Sequence, residues 1–227
     1  MSAVADDNRA ARDAVLARVR NALAKTGSDS QAKADADAYI AAHRQGPRPV
    51  MPADLRARFM TRATDMSSTV DSVAALAEVP PAISRYLDTL STKDGEAPRS
   101  GVCWPEFANL EWRAAGLTIE ARPTLGLDRL AITGCFCAIA ETGTILITSG
   151  EATPTATALL PDTHIAVVRG DRIVSGMEEA FAMVRSELGA MPRALNFVSG
   201  PSRTGDIEQT IVLGAHGPFR MHLLVVD

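Results

Sequence analysis

The chain predicts an α/β fold: a Rossmann-like, largely parallel sheet with flanking helices, preceded by a helical N-terminal arm. Three observations carry this expectation. From about residue 69 onward, short apolar runs alternate with stretches of helical periodicity, the order that βα units impose. The late runs Ile165–Val168 and Leu223–Val226 are continuously apolar rather than alternating, as strands covered on both faces are. The 227 residues, 46% hydrophobic and 22% charged, have an ordinary globular composition and enough chain for such a core.

The elements follow in order. Ala11, Val15, Val19 and Ala22 or Leu23 recur at helical spacing, which predicts a helix over 8–25 that Gly27-Ser28-Asp29-Ser30 ends. A polar, Ala-rich stretch then runs to Pro47-Arg48-Pro49, where the prolines break any helix. Residues 1–50 are therefore expected to form the arm and 51–227 the α/β domain. Leu55 and Phe59 mark a helix over 53–66, and Thr69, Val70 and Val73 a strand. Ile83, Tyr86, Leu87 and Leu90 point inward from a helix over 81–90. Strands are expected at 101–104, 117–121 and 129–133, then as a pair, 136–140 and 144–148, broken at Glu141-Thr142-Gly143. A short helix at 156–160 leads to a strand at 164–169. Over 176–188, Met177, Ala180, Phe181, Val184 and Leu188 share a helix face, with Ser175 as N-cap and Glu178 three residues later. A strand at 195–199, a loop, a short helix opening at Asp206 and a strand at 221–226 complete the order.

The loop after residue 198 abandons hydrophobic patterning. Ser199, Gly200, Pro201, Ser202, Arg203 and Thr204 suit a turn that offers backbone N–H groups and one cation to an anion. Gly200 and Gly205 permit close approach or a positive φ, and Arg203 can clamp a carboxylate or phosphate. Because the loop follows a strand, it falls where open α/β sheets bind ligands. Glu141, Thr142, Gly143 and Thr144 form an acidic bend between two apolar runs, a setting for a base, a nucleophile or a ligand anchor. His216, followed by Gly217, lies in a glycine-flanked turn from which it can reach a ligand. These residues are the expected site, and a small organic anion is the expected guest. His164 and His222 are read as structural, and Trp104-Pro105-Glu106 as a weak cleft signal.

Several classes lose their support. A net charge of −4 and 4% aromatic residues speak against nucleic-acid binding. No apolar run is long enough for a membrane span, no signal peptide is evident at the N-terminus, and a cytoplasmic location is expected. Three cysteines make no disulfide framework, and Cys135 and Cys137 are read as small buried hydrophobes rather than metal ligands. Dinucleotide-binding, P-loop, zincin and serine-hydrolase motifs are absent from the sequence.

Four ordered motifs carry a resemblance: Ala140-Glu141-Thr142-Gly143-Thr144; Leu160-Pro161-Asp162 with His164-Ile165 and Val167-Val168; Asn196 through Glu208; and Leu213-Gly214 with His216-Gly217-Pro218. Together they resemble the lactate utilisation protein C (LUD-domain) family, specifically over residues 100–227 and loosely before that. The resemblance implies a LUD-type domain with the fold of glucosamine-phosphate deaminase, ribose-phosphate isomerase and the coenzyme A transferases. It also implies a part in oxidising L-lactate to pyruvate beside partner subunits that carry iron–sulfur clusters. No cofactor is expected in this chain itself, which lacks the cysteine clusters such groups require. The expected role is thus a non-redox component of a lactate-oxidising assembly. The alternative is a free-standing enzyme acting on an acyl-CoA or sugar phosphate, with Glu141 as nucleophile or base. Glu141-Thr142-Gly143 is similar to the Glu-x-Gly setting of a coenzyme A transferase nucleophile, in which Gly143 would admit the thioester. Whether the chain is itself catalytic stays open at this point.

Overall fold

The computed structural model describes residues 2–23, 30–91, 97–204 and 212–227, in two compact units, Met1–Arg48 and Pro49–Asp227. The first unit holds α1 (Ser2–Ala22) and α2 (Ser30–Ala41). The second helix lies within the polar, Ala-rich stretch of the expected arm. It has no buried residue and hence no apolar stripe to signal it. Alanine's high helix propensity and a Gln31 to Asp35 hydrogen bond of 2.8 Å one turn on support it instead.

The second unit opens with α3 (Leu55–Asp65), whose N-terminus is capped by the Asp54 carboxylate accepting the Ala57 N–H at 2.9 Å. Then come β1 (Thr69–Val73), α4 (Val79–Ser91), β2 (Ser100–Cys103), β3 (Thr118–Ala121) and β4 (Leu130–Thr133). A tight pair follows, β5 (Cys137–Ile139) and β6 (Thr144–Thr148), before α5 (Ala156–Leu159) and β7 (Thr163–Arg169). The remainder is β8 (Ile173–Val174), α6 (Met177–Leu188), β9 (Leu195–Val198), β10 (Arg203–Thr204), β11 (Val212–Leu213) and β12 (Arg220–Val226).

Six strands form a sheet in the order β1-β12-β7-β4-β2-β3, and every neighbouring pair is parallel. The expected parallel α/β core is there. Its central strands are buried along nearly their whole length, from Thr163 to Val168 and from Met221 to Val226, which accounts for the continuous apolar runs Ile165–Val168 and Leu223–Val226 within them.

A second, four-stranded sheet, β8-β5-β6-β9, is mixed: β6 runs antiparallel to both β5 and β9, while β8 is parallel to β5. Its side chains alternate between two cores. Cys137, Ile139 and Leu146 pack with Ala180 and Val184 of α6, while Ala138, Ala140, Ile145 and Ile147 join the main core. Period-two alternation sends successive side chains to opposite faces, so here both faces are apolar and the strands read as buried throughout. The α6 cap lies one residue later than expected: Gly176 is the N-cap, and its N–H donates to the Glu179 carboxylate at 2.9 Å. No helix among the described residues is long and apolar enough to cross a membrane.

Candidate functional site

The site is built on the end of α3. The Ser67 N–H donates to the Thr64 carbonyl at 2.8 Å and the Ser68 N–H to the Ala63 carbonyl at 3.0 Å. Ser67 adopts φ of 67°, so the helix closes in a Schellman turn with serine in the left-handed position usually held by glycine. Ser68 beside it is buried, and its hydroxyl has no hydrogen-bond partner among the described residues.

Two loops rest on this turn through glycine. Gly143 has φ of 69°, and a side chain there would place its Cβ 2.3 Å from the Ala63 nitrogen and 2.4 Å from the Arg62 carbonyl carbon. Gly200 has φ of 87°, and its Cβ would lie 2.1 Å from the Met66 carbonyl oxygen. Neither position tolerates a side chain. The likeness to a coenzyme A transferase expects Gly143 to admit a thioester; the space beside it is instead filled by the backbone of α3, so no thioester can approach along that direction.

The acidic bend and the late loop then meet through hydroxyls. Thr142 Oγ1 lies 2.7 Å from Thr144 Oγ1, which lies 2.6 Å from Ser199 Oγ. The Glu141 N–H donates to the Ser175 carbonyl at 3.0 Å. Glu141 as a residue is half-buried, and its carboxylate has no hydrogen bond or ion pair among the described residues. Arg203 donates from Nη2 to Ser67 Oγ, bringing the late loop back to the α3 turn. Ser202 joins the third segment: its N–H donates to the Pro218 carbonyl at 2.9 Å, its carbonyl accepts the Gly214 N–H at 3.0 Å, and its Oγ accepts the His216 N–H at 3.2 Å. A Cβ on Gly217 would lie 3.3 Å from that of Ser202. Thr204 pairs with Val212 in the short β10–β11 ladder.

Glu141, Thr142, Gly143, Thr144, Ser199, Gly200, Ser202, Arg203, Thr204, His216 and Gly217 thus belong to one continuous set of contacts. The side chains of Arg203 and His216 are exposed, so His216 is held by its backbone and leaves its imidazole in solvent. Two expectations need adjustment. The loop follows β9, a strand of the mixed sheet, so it is not at the carboxyl edge of the parallel sheet; apolar runs signal strands but not which sheet they join. Arg203 and Thr204 form a short strand rather than irregular loop. The helix expected at Asp206 lies outside the described residues. Ser67 and Ser68 escaped sequence reasoning, although the polar pair Ser67-Ser68 just after an amphipathic helix was a usable signal.

The carboxyl edge of the parallel sheet carries other groups. Trp104 is buried and its indole N–H has no partner among the described residues. The Glu106 carboxyl lies against Gly134, and desolvation raises its pKa against the opposing pull of Arg169 and the Gly134 N–H. At the opposite ends of β2, β3 and β4 is a cavity of about 580 Å³ whose lining includes Ser100, Thr118 and three arginines, Arg99, Arg122 and Arg129. Each of those arginines already has a carboxylate partner.

The remaining candidates are structural. His164 is fully buried on β7, with Nε2 2.8 Å from Thr133 Oγ1, and burial lowers its pKa to about 4. His222 stacks on Tyr86 at 3.9 Å and meets Thr69 Oγ1 through Nδ1 at 2.9 Å; its pKa is likewise lowered to about 4. Desolvation pushes the Cys103 and Cys137 thiols up to about 11 and Cys135 higher still, the behaviour of inert buried cysteines. No grouping of three or more His, Cys, Asp or Glu side chains among the described residues could hold a metal ion. Three protonated thiols do not fit an iron–sulfur cluster, which commonly takes four thiolates.

The fold and these contacts define a class: an α/β protein whose parallel sheet carries a second, mixed sheet bearing a polar cluster of hydroxyls, one arginine and one carboxylate. A model of the LUD domain matches residues 107–226, more than half the chain, and the chain belongs to the LUD-domain family. It is 36% identical over 187 residues to lactate utilization protein C of Deinococcus radiodurans, covering 79% of this chain and 83% of that protein. Lactate utilization protein C of Bacillus licheniformis is 34% identical over 133 residues, 55% of this chain and 53% of that protein, so that match spans about half the relative's length. The crystal structure of a DUF162-family protein from Deinococcus radiodurans superposes with a TM-score of 0.57 at 29% identity, covering 79% of this chain and all of that one.

Proposed function

We propose that this protein serves lactate utilisation in the cytoplasm as a non-redox component, binding a small organic anion such as L-lactate or pyruvate beside Arg203. Electron transfer would fall to iron–sulfur partner subunits. The names of the relatives support the setting.

One observation carries the binding site. Several arginines, among them Arg56, Arg62, Arg99, Arg122, Arg129 and Arg172, are paired with a carboxylate; the partner of Arg203 among the described residues is instead a neutral hydroxyl, Ser67, brought from a distant segment of the chain. No carboxylate among the described residues pairs with it, and a guanidinium has five donors, of which this contact uses one. A carboxylate there gains charge-assisted hydrogen bonds, about 1.5–3 kcal/mol each. The chain Thr142–Thr144–Ser199 adds further hydroxyl groups, and Glu141 repels an anion from its own side, which favours binding at the arginine end.

Deleting the gene should abolish growth on L-lactate while leaving growth on pyruvate intact, and Arg203→Ala should complement the deletion poorly although the variant folds. Equal growth of the deletion strain on both carbon sources would refute the role in lactate utilisation. Full complementation by Arg203→Ala would refute the anion site.

A further inference from the structure

The geometry points to Ser67 as a positioning residue that aims Arg203, an inference that takes Arg203 to be the anion's partner. The Schellman turn closing α3 needs a residue with positive φ at Ser67, and 67° is the value observed. Glycine occupies such positions without steric cost, whereas a side chain there is disfavoured. Serine at this place breaks a local preference, and nothing in the turn's own hydrogen bonds uses its hydroxyl: those bonds run from the Ser67 and Ser68 N–H groups to Thr64 and Ala63. The hydroxyl instead accepts from Arg203 Nη2. Positions where a sequence departs from its local rule are often those that serve function.

The contact is well placed to orient the guanidinium. Gly200 rests on the Met66 carbonyl, so the loop carrying Arg203 is seated on the same turn by its backbone. Only the long arginine side chain is left to be fixed, and a single acceptor at its tip removes much of its rotamer freedom. The last carbonyls of α3 also present the negative end of the helix to the cation. Ser67 thus holds Arg203 without neutralising it, as a carboxylate in its place would.

Three variants and one ligand test this. The purified chain and its Ser67→Gly, Ser67→Asn and Arg203→Ala variants are titrated with L-lactate and melted in parallel. Ser67→Gly keeps the turn and loses the acceptor, so its Tm should be unchanged or higher while the Kd for L-lactate rises roughly two- to tenfold. Asparagine tolerates positive φ and supplies a side-chain oxygen, so Ser67→Asn should restore binding. Wild-type affinity in Ser67→Gly, or a fall in its Tm, overturns the positioning role even where Arg203→Ala abolishes binding. If the wild-type chain and Arg203→Ala give the same result with L-lactate, the anion site itself fails and the role of Ser67 with it.

Discussion

Acid should destabilise this protein through His164 in a way that one substitution removes. The ring is fully buried on β7. Thr133 Oγ1 donates to the Gly134 carbonyl at 2.9 Å and so accepts from His164 Nε2–H, leaving Nδ1 unprotonated and without a partner among the described residues. A second proton would be buried with nothing to receive it, which is why the folded pKa falls from 6.5 to about 4. The sign follows from proton uptake: below 6.5 the unfolded chain binds a proton that the folded ring refuses, so the stabilisation is complete above that pH and is lost toward pH 4. Over the one and a half pH units between 6.5 and 5, at about 1.4 kcal/mol per unit, the loss comes to about 2 kcal/mol. Urea unfolding at pH 7.5 and pH 5 measures it. His164→Gln keeps a donor near the Nε2 position but does not titrate, so its loss over the same interval should be smaller by about 2 kcal/mol. His222 and Glu106 titrate in both proteins and cancel in the comparison. An identical pH dependence in wild type and His164→Gln would refute the assignment of a neutral, partnerless ring.

Other perturbations follow from the packing. Gly200→Ala combines a positive φ with a Cβ 2.1 Å from the Met66 carbonyl oxygen, and should cost about 2–4 kcal/mol in denaturant unfolding; a cost below 1 kcal/mol would mean the loop is not seated on α3. Leu146→Ala empties a fully buried position beneath α6, and should cost about 2–5 kcal/mol by thermal or chemical melting. The thiols of Cys103 and Cys137 should resist alkylation at pH 8 in the folded protein and react once it is denatured, as peptide mass spectrometry would show; rapid modification of native protein would contradict their burial.

Much of the fold was legible because its strands announce themselves by composition. Ile165–Val168 and Leu223–Val226 are covered on both faces, and that burial is the reason they contain no polar residue. The helix α6 was legible because Ala180 and Val184 share a buried face, and α2 was not because it buries nothing. The division into two sheets was also hidden. β5 and β6 face one core on each side, which gives them the same apolar signature as a strand of the parallel sheet.

The candidate site shows the same boundary. Glu141, Arg203 and His216 stand out by residue type, in turns whose glycines interrupt apolar runs. Their association depends on contacts between segments far apart in the chain: Thr144 with Ser199, Arg203 with Ser67 and Ser202 with His216. By itself the amino-acid order determined the α/β class, the main elements and the polar turns, since these follow from local periodicity and turn chemistry. Only the folded chain decided that the end of α3 is the platform where the acidic bend and the loop of Arg203 meet. Two glycine contacts and one serine hydroxyl make that platform, and surface complementarity between distant segments leaves no periodic trace in sequence.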